Sequence, residues 1–270
     1  MAFEVASVKP TRTWRPPNFP LDPGDAKTRG GRFSATFGLV GYVTFAYKLN
    51  PGDVTAQLPK AFPDTFDIEA RAPGNPTKDQ MRLMMQSLLA DRFKLRVHFE
   101  THEGPVYALT LLRPGHTGPK LFPHSEGPAC PDFEMPTPGA PPPPRNASDV
   151  FPPVYASAQT RGTPEGTLVG GRDVSMEIIA METIHGFGSL VGEVDKPVVD
   201  QTGLKGRYDF TLQLPPGTLS FSVAPPAPPA DPTGTPFLDA LRKQLGLKLV
   251  SSKGPIRKLV IDHVEQLSGN

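Results

Sequence analysis

Gly30-Gly31-Arg32 recurs as Gly170-Gly171-Arg172, and after each copy the chain runs through the same succession of signals. Phe66-Asp67-Ile68-Glu69-Ala70 follows the first copy, and Tyr208-Asp209-Phe210-Thr211-Leu212 follows the second, each ending in a Pro/Gly break. A helical segment then leads into a pair of strand-like runs. The stretch 88–111, with a turn expected at Gly104-Pro105, matches 241–264, with a turn expected at Gly254-Pro255. A repeated order of elements marks a duplicated module, and it constrains the fold before any single motif does. The 270 residues suit two modest modules, and 37% hydrophobic residues supply a core for each.

Proline sets the boundaries. The chain holds 35 prolines, far above the usual share of about 5%, concentrated around Pro141-Pro142-Pro143-Pro144 and around Pro225-Pro226 and Pro228-Pro229. Each ring fixes φ and removes a backbone donor, so such segments favour extended polyproline over a packed core. Residues 1–113 therefore read as a first α+β module, 114–168 as a proline-rich linker, and 169–270 as a second module with a proline-rich loop at 215–236. A polyproline ligand for a partner domain is the alternative reading of the prolines.

Within each module the order reads strand, helix, strand, helix, strand, strand. Helix candidates span 39–49 and 175–190, and strands span 66–71 and 208–214. Thr77 and Gln80 form a capping box, because hydroxyl and amide satisfy each other's exposed backbone donors at a helix start. Met81, Met84, Met85, Leu88 and Leu89 then form one apolar stripe. In the second module Thr235 caps, Pro236 takes the first helical position, Phe237, Leu241 and Leu245 form the stripe, and Gly246 stops it. Phe93, Leu95, Val97 and Phe99 alternate with Lys94, Arg96, His98 and Glu100, the pattern of a half-buried strand. Residues 3–8 add a further strand. The fold class is α+β, two duplicated two-layer modules with helices on small mixed sheets.

Charge and cysteine narrow the function. Lys plus Arg is 28 against 27 for Asp plus Glu, which lacks the basic excess of a nucleic-acid binder. The single cysteine, Cys130, permits neither an internal disulfide nor a cysteine zinc site. No run approaches the apolar length of a membrane span. No cleavable leader precedes Phe3, and Met1-Ala2 directly before a strand reads as a trimmed start.

Several stretches carry a resemblance. Phe3-Glu4-Val5-Ala6-Ser7-Val8-Lys9-Pro10, the run 80–98 (QMRLMMQSLLADRFKLRVH), the block 197–210 (PVVDQTGLKGRYDF) and Ile261-Asp262-His263-Val264-Glu265 resemble the soil-associated secreted-protein family of acidobacteria, a domain family of unknown function. The resemblance covers nearly the whole chain. It implies export, and a place for the domain, in some members, behind a membrane-bound metallopeptidase of the antibiotic-sensor type, hence an extracytoplasmic sensing or binding role. It supplies no catalytic residues and no cofactor. The chain departs from the pattern at 37–43 and 182–194, where Gly38, Gly41, Gly186, Gly188 and Gly192 loosen the first helix of each module. The second half is also similar, in element order, to the small periplasmic domains at the front of secretins and TonB-dependent receptors, which work by protein contact.

Catalytic and binding candidates are few. Ser189 lies in Gly186-Phe187-Gly188-Ser189-Leu190, and His185, four residues earlier, shares its helical face, as a Ser–His pair would. A glycine-loosened helix accounts for the same residues. His98, Glu100 and His102 alternate along one strand face with a spacing for zinc or copper ligands, or for an ordinary solvated face. Asp200, Arg207 and Asp209 stand in the most distinctive block, as a ligand site or as an ion pair fixing the Gly203 and Gly206 turns. The Gly-Gly-Arg turns offer amides and an arginine to an anion, or simply positive φ. Asn146-Ala147-Ser148 matches a glycosylation acceptor.

Three function classes follow. The first is an exported, non-catalytic binding or sensory module of the cell envelope, secreted or periplasmic, with an envelope protein or a small ligand as partner and no cofactor. The second is a hydrolase, esterase-like at Ser189 and His185 or metal-dependent at the histidine strand. The third is a structural domain docking on an envelope protein through a sheet edge.

Overall fold

The chain forms, in order, β1 (Val5–Thr11), β2 (Arg32–Phe37), α1 (Leu39–Tyr47), α2 (Gly52–Thr55), β3 (Thr65–Arg71), α3 (Lys78–Arg92), β4 (Arg96–Leu111), β5 (Leu121–Pro123), β6 (Gln159–Thr163), β7 (Gly166–Val174), α4 (Met176–Ile178), the π-helix π1 (Ile179–Phe187), α5 (Gly188–Leu190), β8 (Val198–Asp200), β9 (Tyr208–Leu214), α6 (Pro236–Ala240), π2 (Leu241–Leu245) and β10 (Leu247–His263). This computed structural model describes residues 1–25, 30–49, 52–55, 57–58, 65–125, 159–218 and 236–267. Cys130, Pro141 to Pro144, Asn146, Pro225, Pro226, Pro228, Pro229 and Thr235, the expected helix cap, lie outside the described residues. The class is α+β, as the alternation of periods predicts. Two units divide the chain. One takes the described residues of Met1–His102 and Arg257–Asn270, the other those of Glu103–Pro131 and Pro144–Ile256.

In the first unit β1 and β2 flank β3, both antiparallel. Phe66, the second residue of β3, pairs with Pro10 on one side and Phe37 on the other. The Thr77–Gln80 capping box forms as the spacing predicts, and α3 buries Met81, Met84, Met85, Leu88 and Leu89. Each such side chain taken from water contributes about 1.5–3 kcal/mol. They meet Phe33, Phe45 and Phe66 in one core. Tyr42 of α1 sets the helix on its sheet. Its hydroxyl accepts from Phe37 N at 3.1 Å and lies 2.8 Å from the carbonyl oxygens of Ala35 and Phe66, and burial pushes the phenol well above its ordinary range.

In the second unit the sheet order is β5-β9-β7-β6, antiparallel throughout. Tyr208, which opens β9, pairs with Pro123 on one side and Val174 on the other. Ser175 caps the helical run that follows β7. Most of that run is a π-helix, and Gly188 near its end has no room for a side chain, because a Cβ there would lie 2.3 Å from Val194 Cγ2. Phe210, Leu212, Leu214, Phe237, Leu241 and Leu245 fill the core, and Gly246 ends π2 at φ 67°.

A third sheet has the order β10-β4-β8, with β4 and β8 parallel. β4 and β10 each contribute to both units.

Three expectations need correction. Gly104-Pro105 and Gly254-Pro255 are not turns: both dipeptides continue single long strands, β4 and β10. An X-Pro pair favours extended backbone as readily as a turn. Gly254 stands where a Cβ would come within 3.3 Å of Val106 Cγ2, so it permits a close approach of neighbouring strands. The paired Gly-Gly-Arg signals also differ. Gly30 and Gly31 take positive φ of 59° and 68° before β2, whereas Gly170 and Gly171 are strand residues inside β7. Finally, both described ends of the 114–168 stretch contribute strands, β5 in one and β6 with the start of β7 in the other. Leu121, 1% exposed, anchors β5 in the second core, and β6 and the start of β7 complete the sheet.

Candidate functional site

A largely enclosed polar cluster grows from a break in β7. Gly171 pairs with Phe210 and Val174 with Tyr208, so Arg172 and Asp173 together oppose the single residue Asp209. A bulge of this kind bends the strand and re-aims its side chains. Asp173 takes a left-handed φ of 55°, a conformation that aspartate tolerates better than most residues. The turn of the backbone directs its N–H to Asp209 Oδ1 at 2.8 Å.

From the other side of β9 comes His124, immediately after β5. Its N–H donates to Arg207 O at 2.8 Å, and its Nδ1 lies 2.7 Å from Asp209 Oδ1. Asp209 is 7% exposed. Arg172 Nε stands 3.9 Å from Asp209 Oδ2, an ion pair too long for a hydrogen bond. Arg207 Nε donates to Asp173 Oδ1 at 2.9 Å, and its terminal nitrogen donates to the Asp173 carbonyl. Two guanidiniums, two carboxylates and one imidazole thus share one bulge. The Nδ1 bond to a carboxylate fixes the tautomer with Nε2 as the free ring nitrogen in neutral imidazole, the orientation of a general base or a ligand acceptor.

The sequence candidates are distributed differently. Arg207 and Asp209 belong to this cluster. Asp200 instead accepts from Thr202 N at 2.9 Å and Thr202 Oγ1 at 2.7 Å, an Asx turn. Ser189 Oγ donates to Val194 O at 2.8 Å, and His185 Nδ1 lies 3.1 Å from Lys196 O, so the two engage separate carbonyls and not each other. The cause is local: π1 widens the turn, and the i,i+4 face drawn on an α-helix no longer applies.

His98 is exposed. Its Nδ1 lies 2.8 Å from Asp262 Oδ1 and its Nε2 3.3 Å from Glu100 Oε1. Asp262 first, then Glu100, raises the imidazole above its ordinary value of 6.5. Among the described residues no group of three His, Cys, Asp or Glu side chains is placed to hold a metal ion.

Residues 41–264 match the profile of a family described as "Protein of unknown function (DUF3738)". The chain belongs to this family. No curated protein and no solved structure is matched by it. The DUF3738 match covers the candidate cluster in full and supplies no activity for it. No helix among the described residues of this DUF3738 chain is long and apolar enough to cross a membrane.

Sequence reasoning missed His124 and Asp173. Asp173 had a signal: Arg172-Asp173, at the end of β7, and Arg207-Tyr208-Asp209, at the start of β9, each juxtapose both charges. His124 had none, because it stood in a stretch read as spacer.

Proposed function

We propose that this chain is a non-catalytic binding or sensory module of the bacterial cell envelope, exported, with an envelope protein or a small ligand as partner. The observation that carries the reading is the engagement of its sequence-evident nucleophile and base. Ser189 Oγ and His185 Nδ1 are each bonded to a separate backbone carbonyl, as structural side chains in a loosened helix are. The resemblance of 3–10 and 197–210 to exported acidobacterial proteins supports the location.

The same reading takes the two units as copies of one module. Its support is a correspondence of register. Val8↔Ile68, Lys9↔Asp67 and Pro10↔Phe66 in the first unit parallel Leu121↔Phe210, Phe122↔Asp209 and Pro123↔Tyr208 in the second. Asp67 and Asp209 then occupy equivalent places, and each accepts a hydrogen bond from the residue two before the following helix cap, Thr36 at 3.0 Å and Asp173 at 2.8 Å. Asp67→Asn and Asp209→Asn should therefore lower the thermal midpoint by comparable amounts. A neutral Asp67→Asn would break the equivalence.

A second reading, a hydrolase with His124 as general base, is favoured by the 2.7 Å bond from its Nδ1 to Asp209. A hydrolase screen on the purified chain, with and without zinc, separates the two. The binding reading expects no turnover. Turnover lost on Ser189→Ala, His185→Ala or His124→Asn would overturn it.

A further inference from the structure

Arg172 is the least satisfied charged group of the cluster. Its side chain is 14% exposed, and its charged neighbour among the described residues, Asp209, stands beyond hydrogen-bond distance. A guanidinium carries five N–H donors in a planar fork, and with the carboxylate 3.9 Å away the fork of Arg172 stays open to an acceptor that reaches it from solvent. Beside it, His124 gives Nδ1 to the same carboxylate, which leaves Nε2 for another partner. The two groups thus stand at the two oxygens of the same carboxylate. Phe122 pairs directly with Asp209 across the β5–β9 ladder, and so lies on the same sheet face, 50% exposed.

We propose that Arg172, His124 and Phe122 form a binding site for a small monocarboxylate with an apolar or aromatic body. The fork of Arg172 matches the two oxygens of a carboxylate, the imidazolium form of His124 has an Nε2–H to donate to the nearer oxygen, and the Phe122 ring offers a face for the apolar part. Within the cluster the guanidiniums of Arg172 and Arg207 stand against the carboxylates of Asp209 and Asp173, and the planar fork of Arg172 favours a planar carboxylate over a tetrahedral anion. Asp209 acts as the positioning residue, holding imidazole and guanidinium at a fixed separation. This rests on the binding reading above and names the ligand class.

The test is a titration of the full chain with sodium benzoate, sodium acetate, inorganic phosphate and sodium chloride, followed through the imidazole signals of His124 by NMR. It is repeated on Arg172→Lys, Arg172→Gln and Phe122→Ala, with a thermal melt of each. Benzoate should shift the His124 signals saturably, acetate and phosphate about tenfold more weakly, and chloride not at all. Arg172→Lys should weaken benzoate about tenfold because an ammonium lacks the fork. Phe122→Ala, at an exposed position, should bring benzoate down to the level of acetate and keeps the test decisive if an Arg172 variant melts early. Shifts that fail to saturate, that phosphate produces more strongly, or that survive unchanged in Arg172→Lys and Phe122→Ala would overturn the site. Hydrolysis of methyl benzoate lost in His124→Gln would instead retain the site and overturn the non-catalytic reading.

Discussion

His124 and Asp209, 85 positions apart, are joined Nδ1 to Oδ1 at 2.7 Å inside a cluster where the carboxylate is 7% exposed. The carboxylate also accepts the Asp173 amide, so it holds the bulge of β7 and the chain leaving β5 against one strand. Asp209→Asn keeps the shape and removes the charge that faces Arg172 and His124. Removing one partner of a buried ionic group costs about 3–5 kcal/mol, and the retained amide oxygen offsets part of that. The expected loss is about 2 kcal/mol or more by urea unfolding. An unchanged midpoint would mean that the cluster is solvated.

A comparable clamp stands at the start of α3. Arg82 and Lys78 are each 3% exposed. Arg82 donates to the carbonyls of Asp22, Pro23 and Gly24 at 3.1, 2.9 and 2.7 Å and to Asp79 at 2.5 Å, while Lys78 meets Asp22 at 2.8 Å. Arg82→Met should cost about 3 kcal/mol or more, because three carbonyls lose a common donor. Burial alone would raise the Asp79 carboxyl, but hydrogen bonds from Lys48 and Arg82 prevail and hold it below its ordinary 3.8. A depressed carboxylate stabilises the fold above its unfolded value and loses that contribution as pH falls through the folded one. Lys48→Met should therefore flatten the stability profile below about pH 4, as followed by circular dichroism.

His98 has the opposite sign. Its folded value is raised by Asp262 and then Glu100, so its contribution is full below 6.5 and fades as pH rises through the higher folded value. NMR titration should place the His98 midpoint above that of a free imidazole, and Asp262→Asn should move it down. A midpoint unmoved by Asp262→Asn would remove the pairing as its cause.

Much of the fold was legible because period and capping act locally. Thr77 and Gln80 fixed a helix start, and the stripe from Met81 to Leu89 fixed its buried face, with no need of distant residues. The strands that contain Phe66 and Tyr208 were legible for the same reason. Gly-Pro was misleading because its extended backbone suits a turn flank and a strand alike; the neighbour that decides, Val106 against Gly254, is distant in sequence. The site was legible only in part. Arg207 and Asp209 stood out within one block, but their partners His124, Arg172 and Asp173 reach them through the β5–β9 and β7–β9 pairings, and a bulge has no sequence period.

The sharpest remaining contrast concerns Leu121. A spacer reading of 114–168 makes this leucine a solvated side chain whose replacement by aspartate changes nothing. The structure pairs it with Phe210 and buries it to 1% exposure among Phe210, Leu212 and Leu245. A carboxylate placed there has no partner and must be desolvated or protonated, so Leu121→Asp should destabilise by about 3 kcal/mol or more. Met85→Asp in the first core and Leu241→Asp in the second, both 0% exposed, provide the scale for a charge in a stripe that the sequence already assigned to the core. Thermal melts of the three variants compare them directly. If Leu121→Asp melts with the parent while the other two fall, β5 contributes no packing, and the His124–Asp209 contact that β5 positions loses its support.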